Sequence, residues 1–286
     1  MMKHVNVFTK IIAYIIVHYV IMSGYVIIST SLYTAIQTMR GTFDEDIFSE
    51  FFINQVLWGV VVGAVLTFLI YYLLFKGQKK DLLIISRFRR ISVKQGILSL
   101  IIGASLIFLS GLIVGLLAEA MPNAFERFVD SMGQLDRAHV LPLVLAIVFA
   151  APFIEEVMFR GVVTYFLGKH YSMAVVIIVQ ALLFGVYHMD VIQSSYAAVS
   201  RLILGLSLLW TGSIWVPILI HFANNLMSYL MSTPFFIDWF ESEGNTYSIF
   251  VGLMLFVLLP ISVALLYKDR LSQKNPSSLA YTEELE

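Results

Sequence analysis

Long apolar runs without charged residues alternate with short polar segments along most of this chain. Four of these runs are each long enough to cross a lipid bilayer as a helix. They cover residues 11–32, 51–75, 96–118 and 248–267. The apolar pattern therefore predicts at least four membrane-spanning helices.

A further apolar block, residues 140–232, is too long for one span and is interrupted only by short polar turns. These turns lie near residues 169–170, 190–195 and 211–213. They divide the block into four more spans, at residues 140–167, 171–188, 196–210 and 214–232. Together the two sets predict an all-α protein, a polytopic transmembrane helical bundle with about eight transmembrane helices.

The composition strengthens this prediction and limits the partners. The 286 residues are 59% hydrophobic and 13% charged, whereas a soluble domain carries roughly 25% charged residues. This composition indicates that the chain lies in the lipid bilayer. The formal net charge of -1 gives no electrostatic reason to expect nucleic acid as a partner. The chain has no cysteine, which excludes disulfides and thiolate ligands within it.

The charged residues between the spans predict an orientation. The segment 76–94 holds seven basic residues against Asp81 alone, which is typical of a cytoplasmic loop. The loops 34–50 and 233–247 are poor in Lys and Arg and are assigned to the opposite side. On this pattern we expect a multi-pass protein of the cell membrane with both termini in the cytoplasm, and a polar tail at 269–286 without stable structure.

Three charged residues stand inside the span 140–167. Each such charge costs about 2.5–3.5 kcal/mol at bilayer depth, which favours a functional reason for Glu155, Glu156 and Arg160. On a helix Glu156 and Arg160 are one turn apart and can pair, whereas Glu155 points about 100° away. A buried ion pair that only locks helix packing would account for Glu156 and Arg160. It would not account for Glu155, which we predict to be available for chemistry.

Two histidines lie in the following apolar spans. His188 closes the span 171–188, and His221 lies in the span 214–232 with Asn225 one turn further along the same face. A desolvated Glu155 can take a proton from water, and a neutral His188 can hold that water or share the proton. His221 and Asn225 can donate hydrogen bonds to the oxyanion that forms when water attacks a carbonyl.

The same side chains are also compatible with a metal centre. Glu155, His188 and His221 could bind zinc, or another divalent metal, and leave an open position for water. The chain lacks the His-Glu-x-x-His spacing of helical zinc proteases, so the sequence does not require a metal. From the residues alone, a metal-free and a metal-dependent hydrolase both remain open.

The three polar clusters together resemble the CPBP family, the type II CAAX endopeptidases and their bacterial relatives, some of them associated with bacteriocin self-immunity. The family motifs Glu-Glu-x-x-x-Arg, Phe-x-x-x-His and His-x-x-x-Asn read here as Glu155-Glu156 to Arg160, Phe184 to His188 and His221 to Asn225. Each motif is short, but all three occur in order in successive spans. The resemblance covers about residues 140–230, and the first 120 residues carry no recognisable motif.

By this resemblance the chain would be an intramembrane peptidase acting on a membrane-associated peptide or protein. Glu155 would be the general base with His188 as its partner, His221 and Asn225 would be the oxyanion donors, and Glu156 and Arg160 would hold the first motif in place. The family is described with metal-dependent and metal-free mechanisms, and we favour the metal-free one, which requires no cofactor.

The resemblance also implies a division of the chain and leaves one alternative. Residues 1–120 would be N-terminal transmembrane helices, residues 121–268 the catalytic transmembrane core, and residues 269–286 a cytoplasmic tail. The alternative is a non-proteolytic membrane immunity or scaffold protein that retains the family motifs, whose biological effect would survive replacement of the predicted catalytic residues.

Overall fold

The structure, a computed structural model, describes residues 2–242 and 245–272. These residues form helices and turns without any β-strand, which confirms the predicted all-α fold. The eleven helices are numbered here in chain order. They are α1 (Met2–Arg40), α2 (Glu45–Gly77), α3 (Leu82–Ile85), α4 (Val93–Ala120), α5 (Pro122–Gly133), α6 (Val140–Gly168), α7 (Met173–Tyr187), α8 (Val191–Thr211), α9 (Trp215–Met231), α10 (Pro234–Ser242) and α11 (Thr246–Arg270).

Each of the eight predicted spans coincides with one of the longer helices. By length and composition six helices can cross a membrane, namely α1, α2, α4, α6, α8 and α11. The other two, α7 and α9, are shorter, at 15 and 17 residues. The chain is therefore a multi-pass membrane protein. The count of eight crossings, the cell membrane and the cytoplasmic termini stay predictions.

Polar residues between the apolar runs determine where several helices begin and end. The Asp44 side chain accepts hydrogen bonds from the first turn of α2, and Asp190 does the same for α8. Ser92 and Gln95 form a reciprocal capping box at the start of α4. Gly212, with φ of 66°, ends α8 in the left-handed conformation that glycine adopts without steric strain.

By their internal contacts the residues group into two compact units. The first unit is formed by Met1–Leu82 and Val129–Met158, and the second by Leu83–Phe128 and Phe159–Glu286. The division of the chain drawn from its motifs, at residues 120 and 268, concerns function and stays a prediction. Residues 273–286 of the predicted tail lie outside the described residues.

In the first unit, α1 packs closely along α2. Gly59 of α2 permits this approach, because a Cβ atom there would lie 2.9 Å from Val26 Cγ2 of α1. The two helices are also linked by a buried hydrogen bond of 3.0 Å between His18 Nδ1 and Thr67 Oγ1. This pairing satisfies two polar side chains that would otherwise be destabilising inside an apolar interface.

In the second unit, α4 packs against α9 through a glycine and an apolar cluster. A Cβ atom at Gly103 would overlap the carbonyl oxygen of Ile220, so the two helix backbones are in direct contact there. The surrounding buried cluster draws on α4, α8, α9 and α11. Its members are Leu98, Ile102, Leu106, Leu204, Val216, Ile220, Leu259 and Leu266. This packing fixes the helix that carries His221 and Asn225.

The start of α9 is held by the loop that precedes α4. The Ile214 N–H donates to the Arg87 carbonyl at 3.0 Å, and the Ser213 hydroxyl donates to the Arg89 carbonyl at 2.6 Å. The loop residues 87–89, from the basic segment 76–94, therefore pack within the second unit. Its backbone carbonyls satisfy donors at a helix N-terminus, where the first N–H groups have no intrahelical partners.

Candidate active site

The two predicted acidic residues lie on α6 in the first unit. Glu155 and Glu156 are 8% and 0% exposed, so both carboxyl groups are removed from bulk solvent. They occupy a short α-helical stretch, Ala151–Glu156, between two π-helical stretches at Val144–Ala150 and Val157–Val163. π-Helical segments inside α-helices occur frequently at functional sites, which agrees with the choice of this stretch as a candidate site.

Two helices of the first unit provide neighbours for this stretch of α6. The Phe153 ring lies 5.4 Å from the ring of Phe68 of α2. Tyr19 of α1 interacts electrostatically with Glu155. Tyr19 lies in the part of the chain without recognisable motifs, and the sequence analysis did not identify it.

Arg160 lies in the π-helical stretch and belongs to the second unit. Its side chain is 1% exposed, and its Nη2 donates to the carbonyl oxygen of Arg201 at 3.1 Å. The π-helix has a wider turn than an α-helix. At its end Thr164 Oγ1 donates a hydrogen bond of 2.8 Å to the Phe159 carbonyl, five residues earlier. The pairing of Arg160 with Glu156 stays a prediction.

Phe184 of α7 is a common contact of the polar side chains in the second unit. The guanidinium carbons of Arg201 and Arg160 lie 4.1 and 5.3 Å from the centre of its ring. The rings of His188 and His221 lie 4.8 and 6.0 Å from the same ring. The phenylalanine of the second motif therefore organises both histidines and both arginines, through packing and cation–π contacts.

His188 follows the last residue of α7, where the backbone is still close to helical. Its Nδ1 lies 3.0 Å from the carbonyl oxygen of Phe184. A carbonyl oxygen only accepts, so Nδ1 carries the proton in this contact and Nε2 is the acceptor nitrogen of the neutral ring. This arrangement gives His188 a lone pair that can accept a hydrogen bond from water.

His221 and Asn225 lie one turn apart on α9, as predicted from their spacing. His221 is 2% exposed, and its Nε2 lies 2.6 Å from Nη2 of Arg201. The side-chain oxygen of Asn225 accepts a hydrogen bond of 3.3 Å from Nδ2 of Asn224. The amide nitrogen of Asn225, Nδ2, is the atom of this side chain that can donate a hydrogen bond.

Arg201 is a site residue that the sequence analysis missed. It is 5% exposed and is the only charged residue within α8. The reasoning that singled out Arg160, a charge inside an apolar span, applies equally to Arg201 and would have identified it. Its position depends on close packing of α7 and α8, because a Cβ atom at Gly205 would lie 2.6 Å from Gln180 Nε2.

Whether zinc binds at Glu155, His188 and His221 stays a prediction. No group of three His, Asp or Glu side chains suited to a metal occurs among residues 2–242 and 245–272. In addition, Nε2 of His221 is engaged by a guanidinium group, so a cation bound to that nitrogen would meet a like charge.

Comparison with known protein families agrees with the resemblance drawn from the motifs. A family model described as type II CAAX prenyl endopeptidase Rce1-like matches residues 137–227. This segment contains all three motifs, from Glu155 to Asn225, and confirms the resemblance. No curated protein and no solved structure matches the chain significantly.

Proposed function

We propose that this chain, whose residues 137–227 match the Rce1-like model of type II CAAX prenyl endopeptidases, is an intramembrane endopeptidase. Its substrate would be a membrane-associated protein or peptide. The observation that carries the proposal is the polar cluster around Phe184, which gathers Arg160, His188 and His221 inside an apolar bundle. Buried charge in a membrane helix usually serves a function, and this cluster coincides with the family segment.

In the proposed reaction Glu155 is the general base. It removes a proton from a water molecule, and the oxygen of that water attacks the carbonyl carbon of the scissile peptide bond. Nε2 of His188 accepts a hydrogen bond from the same water and shares the proton. Positioned bases of this kind contribute about 10²- to 10⁴-fold to rates.

Attack moves the carbonyl π electrons onto oxygen and forms a tetrahedral intermediate. His221 and Asn225 donate hydrogen bonds to this oxyanion, and preorganised donors of this kind typically contribute about 10²- to 10³-fold each. When the intermediate collapses, the C–N bond breaks and the proton held by Glu155 passes to the leaving amine. Glu156 and Arg160 position the first motif and take no part in proton transfer.

Replacement of Glu155 tests this function directly. Membranes containing the wild type, Glu155→Gln or His188→Ala would be compared for new peptide termini by mass spectrometry. We expect cleavage products with the wild type and a loss of at least about 100-fold with either variant. Thermal melting in detergent would show that the variant proteins are folded.

Two substitutions outside the site provide matched controls. Glu126→Gln changes an exposed glutamate of α5, and His170→Ala changes an exposed histidine after α6. Both controls should cleave as the wild type does. If the Glu155 and His188 variants also yield the full set of products, the peptidase assignment is wrong and a non-proteolytic immunity or scaffold role gains support.

A further inference from the structure

We infer that Arg201 is a positioning residue that fixes the proton of His221 on Nδ1. This inference deepens the proposed function and rests on it, because it concerns how His221 becomes an oxyanion donor. Arg201 itself acts through His221 and is assigned no contact with the substrate.

The hydrogen-bond chemistry of the two side chains determines the direction of the contact. Arg201 Nη2 and His221 Nε2 are 2.6 Å apart, well within hydrogen-bonding distance. A guanidinium group has only donors, so Nε2 must be the acceptor. An imidazole whose Nε2 accepts is neutral and carries its single proton on Nδ1. A doubly protonated ring would oppose two N–H groups and two positive charges at this distance.

Other contacts hold both the side chain and the backbone of Arg201. Its guanidinium carbon lies 4.1 Å from the centre of the Phe184 ring. Its backbone carbonyl accepts hydrogen bonds from Arg160 Nη2 at 3.1 Å and from Gln180 Nε2 at 3.4 Å. The two hydrogen bonds hold the backbone of α8 at this residue, and the stacking on Phe184 restrains the planar guanidinium, so little further entropy is lost when it binds His221. The contact with His221 is therefore preorganised.

This arrangement decides which nitrogen of His221 can donate. With Nε2 committed to Arg201, Nδ1 is the nitrogen from which His221 donates to the oxyanion. The fixed positive charge behind the ring also favours negative charge developing in front of it, and such stabilisation is strong where water is excluded. Without Arg201 the neutral ring could place its proton on either nitrogen.

Nitrogen NMR of the histidine rings tests the inference independently of cleavage. The chain has six histidines, so protein labelled with ring-¹⁵N histidine in detergent micelles gives two nitrogen signals for each of six rings, and His221→Asn identifies the pair to follow. We expect the wild type to show a neutral ring protonated on Nδ1. Arg201→Met should shift this signal towards the Nε2-protonated form, whereas Arg201→Lys, which keeps a cationic donor, should retain part of the Nδ1 form.

Gln180→Met serves as a packing control. It removes a hydrogen bond to the Arg201 carbonyl but leaves the guanidinium in place, so the Nδ1 signature should persist. In the cleavage assay we expect Arg201→Met to lower turnover by about 10²-fold or more. Arg201→Lys should recover part of that turnover, and Gln180→Met should change it less than the loss of the guanidinium does.

A wild-type His221 ring protonated on Nε2, or on both nitrogens, would overturn the inference without recourse to any variant. An unchanged tautomer in Arg201→Met would overturn it as well. Failure of the proposed function is a separate result, since it would appear as full cleavage by Glu155→Gln, a measurement that does not depend on the His221 tautomer.

Discussion

Tyr19 is a side chain of α1 that interacts electrostatically with Glu155. We expect the Tyr19 hydroxyl to donate a hydrogen bond to this carboxylate, which would contribute about 1–1.5 kcal/mol and correspond to roughly tenfold in rate if it aids the general base. We therefore expect Tyr19→Phe to lower the turnover number about tenfold while the protein remains folded. Cleavage kinetics in proteoliposomes would measure this change.

Tyr25 provides the matched control for that substitution. It lies on the same helix, and its hydroxyl donates a hydrogen bond of 3.0 Å to Gln55 Oε1. Tyr25→Phe loses a hydroxyl of equal size and should leave turnover unchanged. Equal losses of turnover in Tyr19→Phe and Tyr25→Phe would mean that the hydroxyl groups affect only helix packing.

At the residue scale, the sequence could predict side chains that share one helix but not those that meet across helices. The one-turn spacing placed His221 and Asn225 together on α9, and the structure bears this out. The same spacing argument could not predict that Arg201 meets His221 or that Tyr19 lies near Glu155, because these residues are on different helices. Helices that are apolar all round have no polar face to show which side meets which neighbour.

At the scale of helices, Gly103 determines how closely α4 approaches the helix that carries His221. Because a Cβ atom at Gly103 would overlap the Ile220 carbonyl, Gly103→Ala forces α4 and α9 apart. Overpacking of this kind destabilises by about 1–3 kcal/mol. We expect a lower melting temperature in detergent and a loss of turnover, since Ile220 directly precedes His221.

Gly111 of the same helix is a suitable comparison for Gly103. A Cβ atom there would meet nothing within 4 Å. Alanine is preferred over glycine within a helix by about 1 kcal/mol, so Gly111→Ala should melt at the same or a higher temperature. A melting temperature for Gly103→Ala equal to that of Gly111→Ala would show that the close approach is not tight in the protein.

A second prediction at this scale concerns the π-helical stretch after Glu156, where Thr164 bonds to the backbone. Thr164→Val keeps the shape of the side chain but removes its hydrogen bond to the Phe159 carbonyl. The loss of about 1 kcal/mol should lower the melting temperature by about 2–4 °C. It should also lower turnover, because the wide turn carries Arg160, while Thr164→Ser should restore both quantities.

Thr30→Val in α1 separates these two effects. Its hydroxyl makes a similar hydrogen bond of 2.7 Å to the Val26 carbonyl, away from the motif residues. The expected outcome is a similar loss of stability with normal turnover. If Thr30→Val and Thr164→Val reduce turnover alike, the π turn has no special relation to the site.

The elements themselves were predicted unequally. Apolar run length is a strong signal, and every predicted span is a helix, because a buried backbone in lipid must satisfy its own hydrogen bonds. The short helices α3, α5 and α10 were not predicted: α3 and α10 lie in segments assigned to loops, and α5 lies between two predicted spans. The π-helical stretches of α6 were not predicted either, since they depend on tertiary packing that an apolar sequence does not encode locally.

At the scale of the whole molecule, we expect a carboxylate to activate water without a metal ion. It has no cysteine, and residues 2–242 and 245–272 contain no cluster of three His, Asp or Glu side chains suited to a metal ion. The engagement of His221 Nε2 by Arg201 adds a like charge where a zinc ion would bind.

We expect the purified protein to keep its activity when divalent metals are removed. After dialysis against a strong chelator, cleavage should remain within about twofold of the untreated enzyme, because the base in the proposed reaction is a carboxylate. Elemental analysis of the same sample should find far less than one zinc per chain, and added zinc should not raise the rate. Loss of activity with the chelator and recovery with zinc alone would require a metal-bound water, and Glu155 would then need a different role.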